Sequence, residues 1–223
     1  NPIFIEGLPG VGNVARIATD FLIDKLKAKK YMNIYTHHFP NSVFITDDNT
    51  VELPKAEIYY YNNPSGRDIL FVVGDVQPGE EYASYAFAEQ LLDIAQSLKV
   101  KEVITLGGIS LRIAPERPEV YSACTSKKYI PVLKKINVKF GRKGAIVIIG
   151  AAGLLLGLGK LRKMEGFSLL AETSIDPREL GFAASKSILQ VLTKYLKIKV
   201  NLGDFDKEIK MVKDKGTPQL PMK

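Results

Sequence analysis

Apolar positions along the chain recur with two periods, and the alternation between them lays out strands and helices. Residues 2–7, Pro2-Ile3-Phe4-Ile5-Glu6-Gly7, form a short apolar strand pattern that Leu8-Pro9-Gly10 breaks. From 11 to 26, Val14, Ile17, Ala18, Phe21, Leu22 and Leu26 stand three or four apart, the spacing of one helix face. Lys25, Lys27, Lys29 and Lys30 crowd the end of that helix, where cations complement its dipole. Strand, glycine-rich turn and helix together make the repeating unit of an α/β protein.

Three β-rich pieces follow, at 31–38, 42–46 and 57–62, separated by Pro40-Asn41, Asp47-Asp48-Asn49 and Pro54, and they predict hairpins. Residues 68–74, DILFVVG, form a continuous apolar run and predict a central strand covered on both faces. Pro78-Gly79-Glu80-Glu81 opens a helix to about 98, with Ala83, Phe87, Leu91, Ile94 and Leu98 on its apolar side. Residues 101–109 predict the next central strand. A polar, proline-punctuated excursion at 114–118 leads to a strand at 120–125 and a short helix near 127–135. The spacing then predicts a strand at 145–149, a glycine-rich turn with helix at 150–163, a strand at 167–172, and a helix at 178–196 begun by Asp176-Pro177. The expected fold class is α/β: a mixed, mostly parallel sheet flanked by helices. Residues 1–203 are expected to form a single domain, and 204–223 a C-terminal helix and exposed tail.

Composition narrows the function classes. The 223 residues are 46% hydrophobic and 25% charged, the balance of an ordinary globular protein. The longest apolar stretch, 146–158, is interrupted by Gly150, Gly153 and Gly157 and is shorter than the ~20 residues of a membrane-spanning helix. Cys124 stands alone, so no internal disulfide forms, and no Cys/His cluster has metal-ligand spacing. The first residues read as a strand rather than a leader, so a reducing cytoplasm is the expected location. The net charge of +7 invites a polyanionic partner, but the lysines are dispersed and not interleaved with aromatics, so nucleic acid is not the expected partner.

Candidate chemistry is sparse. Gly7-Leu8-Pro9-Gly10-Val11-Gly12-Asn13 lies where a phosphate-binding loop would lie, but it has neither the Walker Lys-Ser/Thr pair nor the dinucleotide glycine spacing. A tight turn with close helix-to-strand packing explains its glycines better. Gly107-Gly108 and the Gly150 to Gly153 segment end two further strands, and ligands of open α/β sheets gather at such ends. Gly10, Gly12, Asn13, Gly107, Gly108, Gly150, Gly153 and Glu172 are therefore expected to border one cleft, for a ligand or a partner. Asp75 and Glu172 could face it as a carboxylate pair, or serve as caps or contact residues. His37-His38, Cys124 and Ser110 have no company that would make a catalytic group, and no catalytic, metal or cofactor site is expected. Tyr59-Tyr60-Tyr61 alternates across a strand and should expose at least one ring.

One family pattern emerges from these pieces. Gly7 to Val14, followed by Ala18 and Leu22-Ile23, resembles the signature start of the proteasome assembly chaperone family, in particular archaeal homologues of the second eukaryotic chaperone. Leu106-Gly107-Gly108, the run from Ile149 to Leu158, and Leu169-Leu170-Ala171-Glu172-Thr173 followed by Asp176-Pro177 are similar to it in the same order. The resemblance implies a nucleoside-phosphorylase-like fold without that catalysis. It also implies ATP-independent help in assembling proteasome α-subunits, as a homo-oligomer. Some proteasome-binding factors dock a tail ending in a hydrophobic residue, Tyr and one further residue. Pro221-Met222-Lys223 departs from that pattern, so folded surfaces rather than the tail are expected to bind. The alternative is a phosphorylase-like or nucleotide-binding enzyme that uses the glycine loops around a phosphate.

Overall fold

The computed structural model describes residues 1–141, 147–176 and 178–214. Strand β1 (Ile3–Gly7) leads through a single 3-10 turn, Val11–Asn13, into α1 (Val14–Leu26). Strands β2 (Lys29–Ile34), β3 (Phe44–Ile45), β4 (Val51–Glu52), β5 (Ala56–Tyr61) and β6 (Ile69–Gly74) precede α2 (Glu81–Ser97). After β7 (Glu102–Leu111) come β8 (Val120–Tyr121), α3 (Tyr129–Lys135) and α4 (Ala151–Leu161). Strand β9 (Glu165–Ser174), α5 (Phe182–Leu196) and α6 (Leu202–Asp214) complete the order.

Seven strands form one sheet in the order β2-β5-β6-β1-β7-β9-β8, and β3 and β4 pair as a separate hairpin. The central four, β6, β1, β7 and β9, are parallel; β5 and β8 run against them at the flanks, and β2, antiparallel to β5, runs with them. This is the expected mixed α/β sheet. Alternation along β1 divides the core. Ile3 and Ile5 face α1 and α5, whereas Phe4 and Leu8 pack with Phe87, Leu91 and Leu155 of α2 and α4. Helix α6 closes the first layer by inserting Phe205, whose ring centroid lies 4.9 Å from that of Phe21 and 6.3 Å from that of Phe182.

The starts of the parallel strands are level, because Ile3 pairs with both Ile69 and Glu102, and Glu102 pairs with Glu165. Helices α1, α2, α4 and α5 return the chain to this amino edge, and all four stop in the same way. Lys27, Lys99, Lys163 and Lys197 adopt the left-handed conformation, with φ between 53° and 61°. The next amide of each reaches back one turn: Ala28 to Ile23 O, Val100 to Ala95 O, Met164 to Gly159 O and Ile198 to Thr193 O, at 2.8–3.1 Å. Each is a Schellman stop with an inward-facing apolar residue after it. A lysine in that conformation is less favourable than the usual glycine by about 1 kcal/mol.

Several boundaries differ from expectation. Strand β2 ends at Ile34, so His37 and His38 occupy the turn beyond it rather than a strand end. The strand expected at 120–125 stops at Tyr121, after which Cys124 keeps one bridge to Phe167 and the Thr125 amide one bond to Gly166 O. No strand covers 147–149, and Ala145 and Ile146 lie outside the described residues. Gly153 lets the Ile148 carbonyl press directly on the start of α4, which makes 147–149 an irregular lead-in. Helix α5 begins at Phe182, after Asp176 has already closed a local turn on Arg178. The tail pattern Pro221-Met222-Lys223 also lies outside the described residues.

Candidate functional site

At the carboxyl edge β1 and β7 part after Glu6 and Thr105, the last pair of their ladder. Glu6 points toward the α2/α4 layer and is only 1% exposed. Its Oε1 accepts the Leu8 N–H at 2.9 Å, while its Oε2 and the buried Thr105 Oγ1 have no hydrogen-bond partner among the described residues. Burial pushes the Glu6 carboxyl up to about 8, and the Leu8 and Leu106 amides oppose that rise. At neutral pH the group is therefore mostly protonated.

The loop after β1 fills the crevice above Glu6 with backbone. Gly12 takes φ 62°, the left-handed region that glycine enters without strain. Its carbonyl accepts the Gly181 N–H at 2.7 Å, and a Cβ at Gly12 would come within 2.8 Å of Thr173 Oγ1. Across the crevice, Gly108 lies so near the loop that a Cβ there would stand 2.5 Å from the Val11 carbonyl oxygen. Three of the loop's amides bond within it: Leu8 to Glu6, Asn13 to Gly10 O, and Val14 to Val11 O.

Gln77, just past β6, clamps the loop to α4. Its Nε2 donates to Pro9 O, and its Oε1 accepts the Ala151 N–H at 3.1 Å. Arg16, the basic residue following the loop, points to the β6 end. It donates to Gly74 O, pairs with Asp20 at 2.6 Å and lies 3.9 Å from Asp75. The cation that follows the loop is thus spent on the protein's own backbone and carboxylates.

The sequence-derived candidates fall into groups. Gly10, Gly12, Asn13 and Gly108 meet at the crevice, and Gly150, with φ 80°, joins them through Gln77. Gly107 faces the other side of β7, toward Leu170, and Gly153 packs on Ile148. Glu172 lies on β9 opposite Ile109, and its Oε2 accepts the Glu119 amide at 3.2 Å. Asp75, at the end of β6, accepts the Lys55 amide at 3.1 Å. Strands β1 and β7 intervene between these two carboxylates, a separation of about 14 Å at sheet spacing, so they do not act as a pair. His38 packs edge-on against Tyr82, 6.0 Å between centroids, and burial raises the Cys124 thiol. Tyr59, Tyr60 and Tyr61 are all half-buried, and the first two hydroxyls donate to Glu57 and Asp68. Among the described residues no three His, Cys, Asp or Glu side chains could jointly hold a metal, and no helix is long and apolar enough to cross a membrane. Sequence reasoning missed Glu6 and Gln77; a lone Glu inside an apolar strand was the available signal for the first.

Where the crevice is filled, the rim is apolar and open. Val11 after β1, Tyr82 at the start of α2, Ile113 after β7, Ile149 before α4 and Ile175 after β9 are all exposed, Ile113 by 83% and Ile149 by 88%. Single exposed apolar residues are ordinary on protein surfaces, but five large ones on the loops of one sheet edge are the composition of a contact surface.

The fold is thus a doubly layered α/β sheet whose carboxyl edge holds the chain's own loop and an apolar rim. The chain belongs to the PAC2 family, whose model matches residues 4–217. The crystal structure of Pyrococcus furiosus PbaB, an archaeal proteasome activator, is 37% identical with a TM-score of 0.86, covering 96% of this chain and 91% of that one. Pyrococcus furiosus PbaA, an archaeal homologue of proteasome-assembly chaperone, is 25% identical with a TM-score of 0.80 over 96% and 85% of the two chains. An uncharacterized protein of Methanocaldococcus jannaschii is 33% identical over 213 residues, 94% of this chain and 80% of that one. The named neighbours are assembly and activation factors, not enzymes.

Proposed function

We propose that this chain is a cytoplasmic, ATP-independent factor of proteasome assembly that forms a homo-oligomer and binds proteasome α-subunits through the apolar rim. The carrying observation is the rim itself: Ile113, Ile149 and Ile175 stand exposed around a crevice that backbone already fills. A specific contact buries roughly 1,200–2,000 Å² in total, and clustered aliphatic side chains supply the desolvated centre of such a contact. Membership in the PAC2 family, and likeness to a proteasome activator and to chaperone homologues, supports the choice of partner.

Native mass spectrometry of the chain with archaeal proteasome α-subunits tests this reading. The wild type is expected to give both a homo-oligomer and a mixed complex, and Ile113→Asp with Ile149→Asp is expected to lose the mixed complex while remaining folded. Absence of any mixed complex over a range of salt would overturn the partner assignment. A phosphate-binding enzyme would instead be stabilised by its ligand, by about 2.7 kcal/mol at 100 times the Kd, so thermal unfolding with phosphate, nucleosides and ATP separates the two readings.

A further inference from the structure

The four Schellman lysines share one surface. Lys99 and Lys163 immediately precede the level starts of β7 and β9, and Lys27 precedes β2, whose Lys29 is in register through Tyr60 with Leu70 at the start of β6. Lys197 ends α5 where Tyr195 donates to Glu102 at 2.6 Å, at the same edge. Lys101 and Lys199 extend the set along the chain. All six are exposed, and none forms an ion pair among the described residues.

The neighbouring acids are engaged elsewhere. Glu102 holds Arg67 at 2.5 Å and accepts from Tyr195, Glu165 holds Lys128, Glu89 and Asp93 hold Arg162, and Asp68 accepts from Tyr60 and the Asn63 amide. Complementing helix dipoles accounts for Lys99, since the last turn of α2 holds no other cation, but not for Lys101 and Lys199, which lie beyond the helix stops. Lys160 and Lys194 already occupy the last turns of α4 and α5, whereas the stops themselves hold lysine in a conformation that glycine adopts more easily. Like charges gathered on one edge also repel. The protein thus tolerates both strained backbone and self-repulsion to keep this edge cationic.

We infer that the amino edge of the sheet is a second interaction surface, opposite the apolar rim, and that it takes an acidic protein surface. The six cations are all lysine; Arg67 at the same edge is already held by Glu102, and Tyr195 is half-buried with its hydroxyl on that carboxylate, so neither offers a free fork for phosphate or an open ring for stacking bases. They are spread over separate helix ends across an open edge, an arrangement that suits the diffuse field of an acidic protein face. This inference is independent of which partner the rim binds.

Fluorescence anisotropy of labelled poly-L-glutamate, used as the acidic-chain probe, tests it on the intact protein. The wild type is expected to bind at low salt and to release as salt rises. Lys99→Gly with Lys163→Gly, which relaxes both helix stops, is expected to weaken binding about tenfold without lowering the Tm. Lys101→Gln with Lys199→Gln, on ordinary backbone, is expected to do the same. Lys134→Ala with Lys135→Ala removes as much charge from the end of α3 and is expected to change affinity by less than about twofold. No binding by the wild type, or equal weakening by the α3 control, overturns the proposal. Tighter binding of charge-matched duplex DNA than of poly-L-glutamate would assign the edge to nucleic acid and overturn it equally.

Discussion

Glu6 and Thr105 stand as neighbours across the β1/β7 ladder, and each keeps one buried oxygen without a hydrogen-bond partner among the described residues. The pair marks the point where the two strands separate and where many doubly wound proteins bind a ligand. Here the carboxyl turns back to receive the Leu8 amide, and the chain's own loop covers it.

A pH dependence follows from that burial. The Glu6 pKa is about 8 in the folded chain, against 4.5 for an unperturbed glutamate. Below 4.5 both states are protonated and the folded state keeps its full stability. Between 4.5 and 8 the unfolded chain releases a proton that the folded chain retains, so stability falls as pH rises, by up to about 5 kcal/mol. Glu6→Gln keeps an acceptor for Leu8 and cannot ionise. Chemical denaturation at pH 5 and pH 8 is expected to show a smaller loss for the variant than for the wild type. An equal loss in both would mean that Glu6 is already ionised in the fold.

Two glycines of the predicted cleft should respond unequally to the same change. Gly108→Ala sets a methyl 2.5 Å from the Val11 carbonyl and 2.8 Å from Thr173 Cγ2, and neither strand nor loop can retreat without breaking the packing between them. A destabilisation of about 1–3 kcal/mol is expected. Gly10 has an extended backbone, with φ −162°, and open space where a Cβ would go, so Gly10→Ala should leave stability within about 0.5 kcal/mol. Urea denaturation of the two variants checks the contrast.

Much of this architecture can be read directly from the chain. The apolar runs 68–74 and 101–109 announce central parallel strands because burial on both faces leaves no alternation to keep, although β7 continues past Gly107-Gly108 to Leu111 instead of ending there. The short flanking strands were less legible. Val51 and Glu52 form β4 only because β3 lies beside them, and two residues carry no period. The glycine loops were visible as turns, but what they turn around was not. Glu6 is buried by residues more than sixty positions away, and Gln77 gains its role by reaching both Pro9 and Ala151. Asp75 and Glu172 looked like a pair because each ends an apolar strand; strand order, which local pattern does not encode, sets two strands between them. The lysine stops were visible as Lys-apolar dipeptides at 27, 99, 163 and 197, yet only the return of all four helices to one edge makes them a surface.

Gln77→Ala should loosen the carboxyl edge without disturbing the sheet. The side chain joins the Pro9 carbonyl to the Ala151 amide, and its removal leaves both without that partner at the start of α4. A loss of about 1–2 kcal/mol is expected, together with faster hydrogen exchange at Ala151 and the first turn of α4. Amides of β1 and β7 should exchange as in the wild type. Unchanged exchange at Ala151 would show that the clamp does not hold the helix.

Phe205 decides whether α6 belongs to the folded body or to a separable tail. Its ring is buried against Phe21 of α1 and Phe182 of α5, and Asp206 pairs with Lys186 at 2.6 Å just beyond it. An exposed ion pair of this kind adds little by itself, so the ring is the main tie. Phe205→Ala is expected to lower stability by about 3–5 kcal/mol if α6 unfolds with the rest of the chain. If α6 is instead a tail beginning at residue 204, the variant should lose protection only in that helix and keep the wild-type unfolding midpoint. Hydrogen exchange and urea denaturation on the same variant separate these results. The first outcome is expected, because releasing Phe205 exposes the side of α1 and α5 that forms one wall of the core.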